Sequence, residues 1–206
     1  MPQPVGAESE ARTGAAGAKL GMWLFLFTEL LFFGGMFLLY AVYRSRYAAG
    51  FHAAAAEENT VVGACNTALL LTSSLAMALA VAALRRGRTR FSILAQAATI
   101  LMGIGFLAVK YTEWMAKIGH GLYPDSPVLL QRSHGEVLFF GLYYVMTGIH
   151  GLHVLIGISL IAVTLALTAR GAITAERATL LENTGLFWHF VDVVWIYLFP
   201  LFYLVT

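Results

Sequence analysis

Apolar residues run almost unbroken through five stretches, 20–43, 60–84, 91–114, 135–168 and 183–205, separated by short polar connections. Each exceeds the roughly 20 residues a helix needs to cross the hydrocarbon core of a bilayer. The spans must be helical, because an open backbone cannot satisfy its hydrogen bonds in lipid. A β-barrel would need short alternating segments with polar lumen positions, and the chain has no such pattern. The pattern predicts an all-α polytopic membrane bundle of five transmembrane helices. At about 1.5 Å per residue the fourth span would reach roughly 50 Å, so it should tilt or project beyond the membrane.

The two longest connections are 44–59 and 115–134, neither large enough to fold alone. The second contains Tyr123-Pro124-Asp125-Ser126-Pro127, whose prolines break helix and favour a turn. Residues 1–18 are mostly Ala, Gly, Pro and Glu and are expected to be a mobile tail. They lack the basic start and short apolar core of a signal peptide. Residues 19–206 then form a single domain. No internal repeat is evident, which weakens an inverted-repeat transporter reading. Gly34-Gly35, Gly103 with Gly105, and Gly148 with Gly151 offer small surfaces for helix packing.

Composition agrees with the pattern: 59% of residues are hydrophobic and only 12% charged, with a mean hydropathy of +0.75. The single cysteine, Cys65, excludes an intrachain disulfide and a thiolate cluster built by this chain alone. The charge distribution predicts orientation. Arg12, Lys19, Arg85, Arg86, Arg88, Arg90, Arg170 and Arg177 fall on one side, against Arg44, Arg46, Lys117 and Arg132 on the other. The positive-inside bias places the N-terminus in the cytoplasm and the C-terminus outside.

Ionisable residues inside the spans are the candidate chemistry, since each costs a few kcal/mol in hydrocarbon, roughly +2.5 to +3.5 for Asp at a helix centre. Glu29 lies near the middle of the first span. It is either a protonated Glu hydrogen-bonded to a neighbouring helix, or a proton-exchanging carboxyl or partner anchor. His150 and His153 are spaced i, i+3 on one face. That spacing can offer two ligands to a metal, but a metal needs more, and nothing requires His189 to converge with them. Hydrogen bonding to a helix, a buried water or a lipid headgroup is the plainer reading. His189 and Asp192, again i, i+3, can pair directly or serve adjacent helices. A hydrolytic triad is disfavoured because no Gly-x-Ser-x-Gly elbow accompanies them. Lys110 and Glu113, one turn apart, read as a local ion pair with snorkelling. Glu136 reads as interfacial, and Asn66 as a hydrogen bond between helices. Trp114, Tyr123, Trp188 and Tyr203 at the span ends read as belt aromatics.

Five ordered motifs resemble subunit III of the haem–copper terminal oxidases, the cytochrome c oxidase subunit III family. They are Phe27-Thr28-Glu29-Leu30-Leu31-Phe32-Phe33-Gly34-Gly35, Asn66-Thr67-Ala68-Leu69-Leu70-Leu71, Tyr111-Thr112-Glu113-Trp114, Thr147-Gly148-Ile149-His150-Gly151-Leu152-His153-Val154-Leu155-Ile156-Gly157 and Trp188-His189-Phe190-Val191-Asp192-Val193-Val194-Trp195. Many members have seven helices, so this chain is similar to the short five-helix bacterial form. The resemblance implies a multi-pass subunit of the bacterial cytoplasmic membrane with no redox centre of its own and no catalytic or metal-binding residue. Haem and copper are then expected in subunit I, against which subunit III packs, with subunit II in the same complex and phospholipid as a possible ligand. It also implies support for proton uptake and sustained turnover. By position Glu29 matches the family's membrane-buried carboxyl, and His150, His153, His189 and Asp192 match its buried polar positions. Together with Asn66 and Glu113 these are the expected lipid or subunit contacts.

Within that class the chain can serve a cytochrome c oxidase or a quinol oxidase, or be the related accessory protein of a nitric oxide reductase. A different class is a stand-alone proton-coupled carrier using Glu29, Lys110 and Asp192. A third is an intramembrane metalloenzyme.

Overall fold

The computed structural model describes residues 5–204. It contains seven helices: α1 (Val5–Arg46), α2 (Ala48–Ala55), α3 (Thr60–Arg85), α4 (Thr89–Gly119), α5 (Pro127–Leu130), α6 (His134–Ala169) and α7 (Thr179–Tyr203). There is no strand among the described residues. The five long helices each hold a stretch apolar enough to cross a membrane. Two short helices, α2 and α5, occupy the two long connections. The expected tail divides: residues 1–4 lie outside the described residues, while helix α1 begins at Val5 and runs without a break into the first span. The fifth span was expected to reach 205, which also lies outside the described residues.

Local chemistry sets the helix boundaries. Asn59 caps α3 by accepting from the Val62 amide at 3.1 Å. Ser126 does the same for α5, whose first residue is Pro127. Ser133 and Glu136 form a reciprocal capping box at the start of α6, so Glu136 has a defined structural task beyond lying near an interface. Helix α3 ends where Gly87 takes φ +72°. The amide of Arg88 then reaches back to the Ala83 carbonyl at 2.9 Å, the pattern that favours glycine at this position. Helix α4 ends likewise at Gly121, with Leu122 bonded to the Lys117 carbonyl at 2.9 Å.

Four helices close a ring in which α3 packs on α4, α4 on α6, α6 on α7 and α7 back on α3. Helix α1 lies outside this ring, against α7 and α6. Only 11% of its most apolar stretch is buried, against 50% for α7, which leaves residues such as Leu24, Leu31 and Leu38 facing outward. The ring is locked by Trp188 of α7. Its indole lies over Gly103 of α4 and Gly157 of α6, where an added Cβ would come within 2.8 and 2.7 Å of ring atoms. The Trp188 indole N–H donates to the Ser73 hydroxyl at 3.1 Å. Trp188 is therefore a fully buried wedge instead of a belt aromatic. Of the glycines expected at close contacts, Gly103 and Gly148 meet aromatic rings, whereas a Cβ at Gly34 or Gly35 would meet nothing within 4 Å. A different pair makes the closest backbone approach, Gly50 of α2 against Gly135 of α6.

Candidate functional site

The expected polar residues separate into three environments. The first joins α1 to α6. His153 Nδ1 contacts the Ile149 carbonyl at 2.8 Å, and Nε2 lies 3.1 Å from Glu29 Oε2. A carbonyl only accepts, so Nδ1 carries a proton. In a neutral ring Nε2 is then an acceptor, and its contact with Glu29 needs one shared proton. The pair is partly enclosed, with side-chain exposures of 20% for Glu29 and 12% for His153. Phe33 packs edge-on against the imidazole.

The second environment is the ring interior. His150, one turn from His153, is buried between Phe106 and Trp195, and neither of its ring nitrogens has a hydrogen-bond partner. The two histidines share a helix but meet different neighbours. His189 Nδ1 lies 2.6 Å from the Ser74 hydroxyl of α3, so its partner is on an adjacent helix. Asp192 is buried beside the Ser74 hydroxyl, and its carboxyl oxygens lack a well-aligned hydrogen bond among the described residues. The amide nitrogen of buried Asn66 is likewise unpaired. No three His, Cys, Asp or Glu side chains converge to hold a metal among the described residues. Nearer the α3–α4 turn, Gln96 accepts from Thr164 at 3.0 Å and donates to Ser92 at 3.3 Å, closing a buried polar link between α4 and α6.

The third environment is the most densely bonded, and the sequence reading placed only two of its members in it. Glu113 Oε1 accepts from Lys110 at 3.2 Å, Tyr203 at 2.6 Å and Lys117 at 3.4 Å, and from Tyr143 as well. The Lys110 amine donates further to Tyr143 at 2.9 Å and Tyr203 at 2.6 Å. Its ammonium also lies over the Trp195 ring, 5.4 Å from the centroid. Lys117 forms an ion pair with Glu58 at 2.8 Å. Lys110 is 7% exposed and does not snorkel. The expected local pair is two of the six side chains in a buried network drawing on α4, α6, α7 and the α2–α3 turn. Tyr203, expected in the interfacial belt, is inside it. The signal for Lys117 was present: Lys110, Glu113 and Lys117 are spaced i, i+3, i+7 along one face of an apolar helix. Glu58, Tyr143 and Tyr203 come from elsewhere in the chain, and only the fold brings them in.

Around this network the exposed end of the bundle is tied by Arg132, which contacts Glu57 and, at 3.1 Å, Glu136. These contacts hold the Arg132 guanidinium above its ordinary range. Burial pushes the Glu58 carboxyl up to about 7, against the opposing pull of Lys117. At the opposite end Glu182 takes Lys19 at 2.9 Å together with Arg85, fastening the start of the first apolar span to α3 and α7.

A five-span helical bundle with ionisable groups paired across helices defines an integral membrane protein whose interior is polar at selected positions. The profile of the cytochrome c oxidase subunit III family matches residues 6–206, and the chain belongs to that family. It is 32% identical over 198 residues to quinol oxidase subunit 3 of Bacillus spizizenii, covering 96% of this chain and 91% of that protein. It is 34% identical over 192 residues to cytochrome c oxidase subunit 3 of Thermostichus vulcanus, covering 91% and 87%. It is also 30% identical to haem–copper oxidase subunit I+III of Aeropyrum pernix, covering 91% of this chain and 22% of that protein.

Proposed function

We propose that this chain is the non-catalytic subunit III of a respiratory haem–copper terminal oxidase in a bacterial cytoplasmic membrane. The observation that carries this reading is the family match across residues 6–206. Subunit I is the partner that packs directly against it and holds haem and copper, with subunit II in the same complex. The Aeropyrum pernix relative supports that pairing, because its name joins subunits I and III in one chain. Relatives of the cytochrome c and quinol types match at 34% and 32% identity, so the electron donor is chosen by other subunits. The N-terminus lies in the cytoplasm, as the arginines of the α3–α4 turn favour.

In this reading Asn66, Glu113, His150, His153, His189 and Asp192 keep the bundle in a fixed shape for its partner and for bound phospholipid. Glu29 is the proton-exchange candidate, because its contact with His153 requires a shared proton. The test is purification of the tagged chain from its native membrane in mild detergent. Co-purifying subunit I with a haem spectrum supports the proposal. A chain that arrives alone and catalyses proton-coupled transport after reconstitution overturns it in favour of the carrier reading. Glu29→Gln in the assembled oxidase then tests the carboxyl. It should leave assembly intact and alter the decay of activity during turnover, and an unchanged decay assigns Glu29 a structural role.

A further inference from the structure

At the end of the bundle that carries α2, a pocket of about 710 Å³ opens between the start of α3 and the end of α4. It is the most polar of the larger hollows, with Asn59, Glu113, Lys117 and His120 on its walls. Behind Lys117 lies Glu58, whose side chain is 0% exposed. Among the described residues its one ion-pair partner is the Lys117 ammonium at 2.8 Å. The second oxygen of Glu113, Oε2, is also unpaired. A buried carboxylate normally gathers several donors, as Glu113 Oε1 does. Glu58 has this single ion-pair partner, and Lys117 links it to the pocket, which has room and polar groups for water.

We propose that Glu58, with Lys117, forms a proton-exchange site at the α2 end of the bundle, loaded and emptied through this pocket. With all four groups ionised, Glu58, Glu113, Lys110 and Lys117 sum to zero charge. Lys117, which lines the pocket and touches Glu58, is the link: its N–H proton passes to a Glu58 oxygen, forming an O–H bond, and a proton from pocket water restores the ammonium, leaving the cluster at plus one. Lys117 then turns wholly to Glu113, 3.4 Å away. Groups facing the site from each packed element take part in the balance: Lys110, Glu113 and Lys117 from α4, Tyr143 and Tyr144 from α6, and Tyr203 from α7. Glu57 and Arg132 flank the pocket but are bound to each other. Burial places the Glu58 exchange near pH 7. The site is independent of Glu29 and His153, and it stands whether or not the oxidase reading does.

Infrared difference spectra of the full-length chain, titrated from about pH 5 to about pH 9, read carboxyl protonation directly. Wild type should show a protonated-carboxyl band that disappears with a midpoint near neutrality and shifts in heavy water. Glu58→Gln should lose that band, while Glu29→Gln and Asp192→Asn should keep it. If Glu58→Gln does not fold, Glu58→Asp should move the band's midpoint or frequency. No such band in wild type, a band without a deuterium shift, or one that survives at Glu58→Gln or is unmoved at Glu58→Asp would overturn the proposal.

Discussion

Glu29 stands on α1, outside the four-helix ring, with a single side-chain partner in His153. Glu113 stands inside, where one of its oxygens meets two ammonium groups and two phenols. Both are carboxylates on apolar helices, yet they are stabilised differently. At Glu29 a carboxyl on the outer helix meets one imidazole nitrogen and stays partly exposed. At Glu113 a charge is buried outright, and it is tolerated because donors from three helices were placed around it. The number of partners distinguishes a carboxylate built into the scaffold from one held on a single side.

The sharpest way to break this contrast is to remove one partner at each site. Lys110→Met leaves Glu113 and two phenols without their central cation. Breaking a buried pair on one side costs about 3–5 kcal/mol, so thermal unfolding in detergent should fall well below wild type. The double change Lys110→Met with Glu113→Leu should recover part of the loss, because it removes both charges together. A single variant that melts like wild type would mean the network adds nothing to stability.

The next effect follows pH. The Glu58 carboxyl is raised from 4.5 to about 7 by burial, so folding favours its protonated form. Its stabilising share is complete below the unfolded value of 4.5 and is lost as pH rises through about 7. Wild type should therefore lose stability against Glu58→Gln between those limits, as read by paired melting curves. Parallel curves across the window would show that Glu58 does not change protonation on folding.

Removing the single partner at the edge should cost less than removing Lys110. His153→Leu strips Glu29 of its one side-chain hydrogen-bond partner among the described residues, at about 1–3 kcal/mol for an unsatisfied polar group. Replacing both residues by Leu should cost less than the single change. If His153→Leu is as damaging as Lys110→Met, the two sites are alike in kind and the contrast fails.

The unequal legibility of the two sites has a physical origin. The five spans follow from apolar length, which is a local property, and the helices that contain them were expected. The α2 and α5 helices were not, because eight and four residues of loop carry too little pattern to distinguish them from turns. Glu29, His150, His153, His189 and Asp192 stood out because each interrupts an apolar run. Glu58 interrupts nothing, since it lies in a polar connection and its burial depends on α4 passing over it. Tyr203 and Trp188 were read by position along the helix, as belt residues. The face they present, toward Lys110 and between Gly103 and Gly157, depends on packing among helices far apart in the chain.

Asp192 gives the smallest expected change and the most useful surprise. Its carboxyl oxygens are buried and lack a well-aligned hydrogen bond among the described residues. Asp192→Asn keeps the shape and removes only the ability to ionise, so the isolated chain should change by less than about 1 kcal/mol. The Ser74 hydroxyl neighbours Asp192 and lies 2.6 Å from His189, and an amide at 192 can still meet it. The assembled complex is the discriminating case. If the same variant weakens retention of the chain by its partner while leaving its own melting unchanged, Asp192 is completed from outside, like a contact residue. If the isolated chain itself loses several kcal/mol, then a partner within the bundle bonds to Asp192, and the group belongs with Glu113 on the scaffold side of the contrast.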